Sequence, residues 1–504
     1  MSCGNPTTES DALMPRRLKY DKSRTCVKCK ENQGNLVIRH AVYCKTCFFP
    51  LISYKFRRAL EPYVNPKPDG PRRTALKPSG DLLVGYSGGL GSSVLLDLVH
   101  RSYVSPKTSA NEGGRDHPRN ERVWKNIYVC NVDVSDAFPD MKSKAEEIRN
   151  AVEEHTGLEY IQLHLYDAFD PAWWRQIGGD PPKFPLGVDL TREDLPLASG
   201  STESTPVESL RSYLASLPTP TAVTTAVHTL TRLLLHYTAW SHNCSHLLLG
   251  ASLTSLAVSL ISGICQGGGF HVKEEMQEEW SPYKIHDQQT KVDVKRKRTV
   301  RIIRPLRDVG MKECAAWAWW MGVKVVGREK LEWVGSKQGI GRLTKDFIVG
   351  LEKDYPSTVS TIVRTCGKLA PKGEVDGACL LCERPVQHGV QEWKARISIR
   401  SRQTDDEQTQ PSSTSVPPSL THYLCYACHT TLTSRTPRPM VTPFPSNGPP
   451  TSVPMPVWTL TNVRDLHLSD SLEDETGEEA VGNVRKMSES EMKDAVKDFL
   501  LDDS

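Results

Sequence analysis

The sequence predicts an α/β protein whose parallel sheet is flanked by two small cysteine-bearing modules. Short apolar segments alternate with segments of helical spacing between residues 81 and 321, and this alternation is typical of a parallel sheet. Eight of the 14 cysteines form four Cys-x-x-Cys pairs, two towards each end of the chain. With 63 basic and 60 acidic residues, the net charge of +3 creates no overall field that favours nucleic acid.

The predicted organisation follows composition along the chain. In order, we expect a polar leader at 1–20, a cysteine module at 21–60, a linker at 61–80, an α/β domain at 81–350 with insertions at 104–120 and 178–206, a second cysteine module with an inserted loop at 365–435, and a Pro-rich and acidic tail at 436–504. The insertions and the tail are rich in Gly, Pro, Ser and charged residues, which disfavour a packed core.

Apolar runs and helical spacing predict the elements of the α/β domain. Strands are expected at Asp81–Tyr86, Asn126–Val134, Tyr160–Leu165, Leu247–Gly250 and Val292–Ile303, and helices at Gly91–His100, Ser143–His155, Ala222–Trp240, Ser255–Ile264 and Met311–Met321. The apolar stretch 247–265 contains several Ser, a Thr and two Gly, which favours a strand, a turn and a helix over a membrane span. We therefore expect no membrane association.

The first two cysteine pairs predict a structural zinc site. Cys26 and Cys29 precede Cys44 and Cys47, with fourteen residues between the pairs, close to the spacing of tetrathiolate zinc ribbons. The N-terminal residues contain no apolar segment that would suggest secretion, so a reducing compartment is expected. The alternative is that the four cysteines are free cytosolic thiols.

The second two pairs predict a further zinc site with looser spacing. Cys379 and Cys382 are separated from Cys425 and Cys428 by 42 residues that form a polar loop. Three histidines are alternative ligands: His388, His422 and His429. A Cys-x-x-Cys pair also carries redox chemistry, so a role in moving sulfur or electrons stays open for this cluster.

A glycine-rich turn follows the first predicted strand and begins a helix. Its candidate ligand-binding residues are Ser87, Gly88, Gly89, Gly91 and Ser92. Glycines allow close approach of the backbone, and a helix N-terminus offers N–H groups to an anion. No Gly-Lys-Ser/Thr follows, so the turn is not a Walker loop. A tight strand-to-helix turn without a ligand explains the same residues.

The turn resembles the pyrophosphatase loop, Ser-Gly-Gly-x-Asp-Ser, of ATP-dependent adenylating enzymes such as the tRNA thiolases. YSGGLGSSVLLDLV, the N-terminal CVKC and YCKTCFF, and RPLRDVGMKECAAWAWW at the end of the domain all resemble that family. The resemblance implies a Rossmann-like sheet of the PP-loop type, the adenine nucleotide alpha-hydrolase-like fold, with ATP as the ligand of the loop. It covers roughly residues 20–60, 80–170, 220–325 and 365–435.

Three departures from the thiolase pattern predict loss of catalysis. Gly91 stands where the family has Asp, and Thr221–Thr225 lie where it carries a cysteine pair. Ala251, Ser252, Thr254 and Ser255 replace its His and acidic residues. The pattern therefore resembles the second, non-catalytic subunits of cytoplasmic tRNA 2-thiolation complexes, and it predicts no catalytic residues in this chain.

That resemblance implies partners and a substrate. A catalytic thiolase subunit would adenylate the wobble uridine of tRNA Lys, Glu and Gln in the cytoplasm, with a thiocarboxylated ubiquitin-related modifier as the sulfur donor. Two alternatives remain open: an active ATP-dependent tRNA-adenylating enzyme, and a zinc adaptor that binds no nucleotide.

A basic run is the first candidate for tRNA contact. It includes Lys295, Arg296, Lys297, Arg298 and Arg301, and compact cationic runs suit phosphate contacts. An edge strand protected by charge accounts for the same run. The second candidate is YKFRRAL, with Lys55, Arg57 and Arg58 beside the first cysteine module.

Overall fold

The computed structural model describes most of the α/β domain and both cysteine modules. The described residues are 25–64, 80–104, 123–138, 140–180, 186–199, 204–282, 298–327, 339–369, 373–397, 419–434 and 452–463. Residues up to Asn462 belong to one compact unit, and a second unit begins at Val463. The predicted leader at 1–20 lies outside the described residues.

The N-terminal module is a two-stranded hairpin followed by a long helix. Strands β1 (Leu36–Ile38) and β2 (Ala41–Tyr43) pair antiparallel, and helix α1 spans Lys45–Val64. Phe48, Ile52, Phe56 and Leu60 are fully buried, and their spacing of four residues places them on one face of α1. The helix continues four residues into the predicted linker at 61–80, because Val64 extends the same apolar stripe and is buried.

The rest of the chain forms eleven strands and twelve α-helices among the described residues. The strands are β3 (Asp81–Gly85), β4 (Ile127–Asp133), β5 (Glu159–His164), β6 (Leu186–Val188), β7 (Leu197–Ser199), β8 (Cys244–Leu249), β9 (Glu278–Trp280), β10 (Val300–Ile303), β11 (Val375–Ala378), β12 (Pro385–Gln387) and β13 (Val453–Pro454). The helices are α2 (Leu90–Val99), α3 (Ala145–Glu153), α4 (Pro171–Gln176), α5 (Pro206–Ser216), α6 (Pro220–Ser241), α7 (Leu253–Cys265), α8 (Val272–Met276), α9 (Met311–Met321), α10 (Ile340–Asp354), α11 (Pro356–Cys366), α12 (Val390–Ile397) and α13 (Tyr426–Thr433).

A six-stranded sheet forms the centre of the protein. Its order is β5-β4-β3-β8-β10-β9, and every pair is parallel except β10 with β9. The predicted α/β class with a parallel sheet is therefore confirmed. Because β3 lies between β4 and β8, the chain changes direction across the sheet at β3. Ligands of open α/β sheets bind beside such a switch point, at the carboxyl ends of the strands, where the glycine-rich turn lies.

Two helices after the sheet were not predicted. Helices α10 and α11 pack on α7 and form a second core around Leu256, Leu260, Ile348 and Val359. Helix α10 runs past the predicted domain boundary at residue 350. Leu343 and Phe347 are exposed, so the apolar stripe of α10 is only partly covered by the described residues.

The second predicted insertion and the tail each contain ordered structure. Within 178–206, β6 and β7 form a hairpin, and β13 from the predicted tail pairs with β6. Trp458, also in the predicted tail, is fully buried, and its indole N–H donates to the carbonyl oxygen of Leu381 at 3.2 Å. The predicted boundary at 436 is wrong to that extent, because residues 452–462 help to bury the second cysteine module. The first insertion lies almost wholly outside the described residues.

Within the residues that the structure describes, no helix combines the length and the apolar character needed to cross a membrane.

Candidate metal centres and the glycine-rich loop

The four N-terminal cysteines form one compact cluster. Cys26 and Cys29 lie in the turn before β1, whereas Cys44 and Cys47 lie at the start of α1. The four Sγ atoms lie within 4.8 Å of one another, and those of Cys29 and Cys44 are 3.8 Å apart. Four sulfurs held tetrahedrally at about 2.3 Å from a zinc ion are about 3.8 Å apart, so the cluster has the size of a metal site.

The four C-terminal cysteines form a second cluster, deeper in the protein. Cys379 and Cys382 lie in the turn between β11 and β12, and Cys425 and Cys428 lie at the start of α13. All four are buried and their Sγ atoms also lie within 4.8 Å of one another. The sulfurs of Cys382 and Cys425 are 3.8 Å apart. The polar loop between the pairs therefore does not prevent them from meeting, and this cluster too can hold a metal ion.

Histidine is absent from both described clusters. The ring Nδ1 of His388 lies 2.6 Å from a carboxylate oxygen of Asp376. The Nε2 of His429 lies 3.1 Å from the carbonyl oxygen of Glu193. With four thiolates in each group, neither cluster needs a substitute ligand, and four protein ligands leave no open position of the kind catalytic zinc sites keep.

Both clusters use the same turn. In each, the residue after the second cysteine has a positive φ, +60° at Lys30 and +55° at Glu383. In each, its N–H donates to the carbonyl oxygen of the first cysteine, at 2.8 Å for Lys30 and 2.7 Å for Glu383. Lys30 is exposed, but Glu383 is buried, and burial raises the pKa of its carboxyl group to about 7.

The glycine-rich loop lies between β3 and α2 and is closed by its own hydrogen bonds. The hydroxyl of Ser92 donates to the carbonyl oxygen of Gly89 at 2.9 Å and lies 3.3 Å from the hydroxyl of Ser87. Gly88 has a φ of +70°, and its carbonyl oxygen accepts from the N–H of Gly327 at 3.0 Å. The predicted loop residues are thus together, but several of the polar groups that would meet a phosphate already have partners.

Gly91 lies against the end of β8. A Cβ atom at residue 91 would lie 2.1 Å from the carbonyl oxygen of Gly250, a distance that no side chain tolerates. A Cβ atom at residue 250 would in turn lie 2.6 Å from the backbone of Ser92. The thiolase-like Asp therefore has no room at this position in the present backbone.

The other two degenerate positions are also engaged within the chain. The hydroxyl of Thr254 donates to a carboxylate oxygen of Glu352 on α10 at 2.7 Å, and the N–H of Ile340 donates to the hydroxyl of Thr221 at 3.4 Å. The hydroxyl of Ser252 caps α7 by accepting from the N–H of Ser255. Helix α10 thus contacts two of the places where the thiolase family carries its characteristic residues.

Two residues of the basic run, Arg298 and Arg301, lie in the described part of the chain, and both are half-buried. The guanidinium of Arg298 lies over the ring of Trp240, 4.4 Å from its centroid, and donates to the carbonyl oxygen of Trp240 and the side chain of Asn243. Arg301 pairs with Glu279 at 2.9 Å. Lys295, Arg296 and Lys297 lie outside the described residues. Sequence alone did not reveal that Arg298 is fixed by these contacts.

Among the residues that the structure describes, basic side chains of the N-terminal module are more exposed than Arg298 and Arg301 of the basic run. Arg57, Arg58 and Tyr54 are exposed on α1, whereas Lys55 turns inward and pairs with Glu313 at 2.8 Å. Residues 25–64 contain seven basic side chains and two acidic ones. The signal was present in the lysines around the cysteines, Lys28, Lys30 and Lys45, all of which are exposed.

Comparison with known proteins supports the resemblance inferred from the sequence. The family model described as cytoplasmic tRNA 2-thiolation protein 2 matches residues 339–430. The chain is 28% identical to the protein of that name from Homo sapiens, over 75% of this chain and 74% of that protein. For Danio rerio the identity is 26%, over 71% and 72% of the two chains. For Phaeosphaeria nodorum it is 27%, over 73% and 86%.

Among solved structures, the chain aligns with a U34-tRNA thiolase from Methanococcus maripaludis that contains a 4Fe–4S cluster. The TM-score is 0.41 at 16% identity, and the alignment covers 71% of this chain and 94% of the thiolase. The predicted resemblance to the second subunits of cytoplasmic tRNA 2-thiolation complexes is confirmed by the family model and the curated relatives.

Proposed function

We propose that the chain is the second, non-catalytic subunit of a cytoplasmic tRNA 2-thiolation complex. In this role it forms a heterodimer with a catalytic thiolase and helps to hold the tRNA. The thiolase adenylates the wobble uridine of tRNA Lys, Glu and Gln, and the sulfur that replaces the oxygen at C2 comes from a thiocarboxylated ubiquitin-related modifier. The names of the curated relatives support the pathway and the cytoplasmic location.

One observation supports the non-catalytic assignment: the glycine-rich loop and the positions beside it are engaged by other parts of the chain. Gly91 touches Gly250, Gly88 is bonded to Gly327, and Thr254 is bonded to Glu352. A phosphate or a magnesium ion would need free donors or an acidic ligand near this loop. We therefore propose that this subunit does not use ATP as a cofactor.

Zinc is the metal that we assign to both cysteine clusters. Four thiolates in a tetrahedron are typical of structural zinc, and the absence of an open ligand position among the described cysteines argues for a structural role at both sites. At the C-terminal cluster, where a redox role stayed open, burial of all four sulfurs supports the structural role, because a sulfur carrier must be reached by its partner.

The basic face of the N-terminal module is the tRNA contact that the described residues support best. Arg57 and Arg58 offer guanidinium groups to phosphates, and Tyr54, which is 60% exposed, offers a ring to an unstacked base. Lys295, Arg296 and Lys297 form a second proposed contact. Arg298 and Arg301 contribute less, since both are engaged within the chain.

Reconstitution with a catalytic thiolase tests the proposal. We expect the pair to thiolate tRNA, the thiolase alone to do so weakly, and the isolated chain to release no pyrophosphate from ATP and tRNA. Pyrophosphate release by the isolated chain would instead make it an adenylating enzyme. Full activity of the thiolase without this chain, together with no tRNA binding by the chain, would favour the zinc adaptor.

The variant Gly91→Asp tests whether the loop is unable to accept a carboxylate or only lacks one. Because the new Cβ would meet the carbonyl oxygen of Gly250 at 2.1 Å, we expect the variant to lose about 1–3 kcal/mol of unfolding free energy in urea. It should also bind no ATP in calorimetry. Gly263→Asp is the matched control, since a Cβ there has no atom within 4 Å. ATP binding by the Gly91 variant would show that the loop is open.

A further inference from the structure

The turn that carries Cys379 and Cys382 also inserts two charged residues into the α/β domain. Glu383 accepts a hydrogen bond from the indole N–H of Trp280 at 2.8 Å and another from the hydroxyl of Tyr237. Arg384 pairs with Glu275 at 2.7 Å. The turn therefore contacts helix α6 through Tyr237, helix α8 through Glu275 and the edge strand β9 through Trp280.

A second connection runs from the domain back to the cysteines. Arg232 on α6 pairs with Glu278 of β9 at 2.5 Å and also donates to the carbonyl oxygen of Cys382. One guanidinium thus joins the edge of the sheet to the backbone of a metal ligand. Residues around metal sites that fix a ligand in this way usually influence metal affinity, even though they do not touch the metal.

The buried charges of this layer do not balance by themselves. Three arginines, Arg232, Arg304 and Arg384, surround two glutamates, Glu275 and Glu278. Although burial alone would raise the pKa of Glu278, the nearby Arg232 outweighs it and lowers that pKa to about 2, so the carboxylate is ionised. Among these five residues one positive charge is in excess, before the buried carboxyl of Glu383 on the turn is counted. A zinc ion with four thiolates carries two negative charges, and it would lie next to this excess.

We propose that metal binding at the C-terminal cluster and closure of the β9 edge of the sheet form a single coupled event, with Arg384 and Arg232 as the positioning residues that connect them. When the metal holds Cys379 and Cys382, the turn keeps its positive φ at Glu383 and places Arg384 against Glu275. Without the metal, that backbone conformation is unfavourable for a non-glycine residue. The turn then withdraws, so that Glu275 loses Arg384 and keeps Arg304 at 3.9 Å, and Arg232 loses the carbonyl oxygen of Cys382. Weakening buried ion pairs in this way destabilises the layer.

The N-terminal cluster provides an internal control. Its turn has the same geometry, but the equivalent residue, Lys30, is exposed. Loss of metal there leaves no buried charge without a partner. The proposal rests on metal binding by the clusters, which is part of the proposed function, but it does not depend on tRNA or on the thiolase.

A chelator titration of the full-length zinc-loaded chain tests the coupling. Alkylation of cysteines, resolved by peptide, reports metal loss at each cluster, and hydrogen exchange reports opening of the sheet. We expect residues 278–280 and 300–303 to lose protection over the chelator range in which Cys379, Cys382, Cys425 and Cys428 become alkylated. Strands β4 and β5 should stay protected, and alkylation of the N-terminal cysteines should leave β9 unchanged.

Two variants test the direction of the coupling. In Arg384→Gln we expect the C-terminal cysteines to lose metal at a chelator concentration about 10–100-fold lower, with the N-terminal cysteines unchanged. Glu278→Gln, which lies in β9 and is not a neighbour of any cluster cysteine in the sequence, should shift the same cysteines in the same direction. Arg342→Gln removes an exposed ion pair with Asp346 on α10 and should shift neither cluster.

The outcomes are separable. Persistent protection of β9 after metal loss, or unchanged chelator dependence in both variants, would overturn the coupling while leaving zinc binding intact. If Arg384→Gln is insoluble, Arg384→Lys and the titration of the unchanged chain still decide the question. Metal analysis that finds no zinc on the purified chain would overturn the zinc assignment as well as the coupling.

Discussion

The two cysteine clusters share a backbone turn but differ in what surrounds it. At the N-terminal cluster, the residue after the second cysteine is the exposed Lys30, and at the C-terminal cluster it is the buried Glu383. A single local motif therefore serves two environments. The difference teaches that spacing predicts a metal site, whereas the residue that follows the cysteines decides whether the site stabilises the core or presents a surface.

The way each module is attached explains the difference. The N-terminal cluster lies at the start of α1, and the helix and the β1–β2 hairpin, not the cluster, supply the contacts with the rest of the chain. Phe48 and Phe49 pack against Trp317 and Trp320 of α9 with ring centroids 5.1–6.5 Å apart, and all of these pairs except Phe48 with Trp317 are edge-on. The C-terminal cluster is attached by its own turn, so its metal and the domain edge share contacts.

Removing each cluster in turn should have the largest effect on stability, and the size of the effect should differ between the two clusters. For Cys379→Ser with Cys382→Ser we expect the free energy of unfolding to fall by more than about 4 kcal/mol, because a buried metal site is lost and Glu275 loses Arg384, the closer of its two arginine partners. For Cys26→Ser with Cys29→Ser we expect a cooperative melt close to that of the unchanged chain, since the apolar stripe of α1 stays buried. Thermal melts followed by circular dichroism and tryptophan fluorescence measure both.

Equal losses in the two double variants would remove the distinction between the clusters. The N-terminal double variant is the matched control for the C-terminal one, because it removes the same two residue types from the same kind of turn. Its metal content should fall by one zinc per chain, as expected for loss of one four-ligand site.

The second-largest effect concerns pH, because acid should destabilise the buried layer beside the C-terminal cluster. Burial lowers the pKa of His236, which is fully buried on α6 among Glu278, Arg232, Arg304 and Arg384, from 6.5 to about 3. The unfolded chain therefore takes up this proton first as the pH falls below 6.5. The contribution of His236 is fully present above pH 6.5 and is lost by about 1.4 kcal/mol per pH unit towards pH 3. The buried Glu383, whose pKa is raised to about 7, acts in the opposite direction between pH 7 and 4.5, so the His236 contribution is measured as the difference from a variant without this histidine.

Below pH 4.5 the glutamates add to the same loss. Glu275 and Glu278 have pKa values near 2 in the folded protein, because their arginine partners outweigh burial, so their contribution is lost as the pH falls from 4.5 towards 2. Urea unfolding at a series of pH values measures the slope. His236→Phe should remove the part between pH 6.5 and 4.5, and an unchanged slope in that variant would assign the acid sensitivity elsewhere.

The sequence predicts an element well where a local pattern, such as helical spacing of apolar residues or close spacing of cysteines, decides its structure. Helix α9 begins and ends as predicted, and α6 differs from the prediction by two residues at its start and one at its end. Helix α9 has a single buried face, whereas the last two turns of α6, Leu233–Trp240, are buried on every side and form one mostly apolar run in the sequence. The cysteine clusters were also predicted, because thiolate spacing near a turn is a local property.

Prediction from the sequence failed where a segment acquires its structure from distant partners. Trp458 lies in a Pro-rich stretch, and only the carbonyl of Leu381, 77 residues away, shows why it is buried. Arg298 belongs to a basic run, yet Trp240 draws it against the domain. No local pattern distinguishes a guanidinium that meets a ring from one that meets a phosphate.

The smallest effect concerns the surface that the N-terminal cluster presents. Replacing Arg57 and Arg58 with Gln should weaken tRNA binding by about tenfold and reduce the slope of log affinity against log salt by about two units, one for each phosphate that is no longer neutralised. Stability should be unaffected, because both side chains are exposed. Lys345→Gln with Lys353→Gln is the matched control, since it removes two exposed positive charges from another helix.

A third variant with Gln at Lys295, Arg296 and Lys297 measures the other proposed contact in the same assay. If only this third variant weakens binding, the tRNA lies against the basic run, and the N-terminal cluster supports a surface with another purpose. If the control weakens binding as much as the Arg57 and Arg58 variant, the effect is one of total charge, and neither module can be called an RNA surface on that basis.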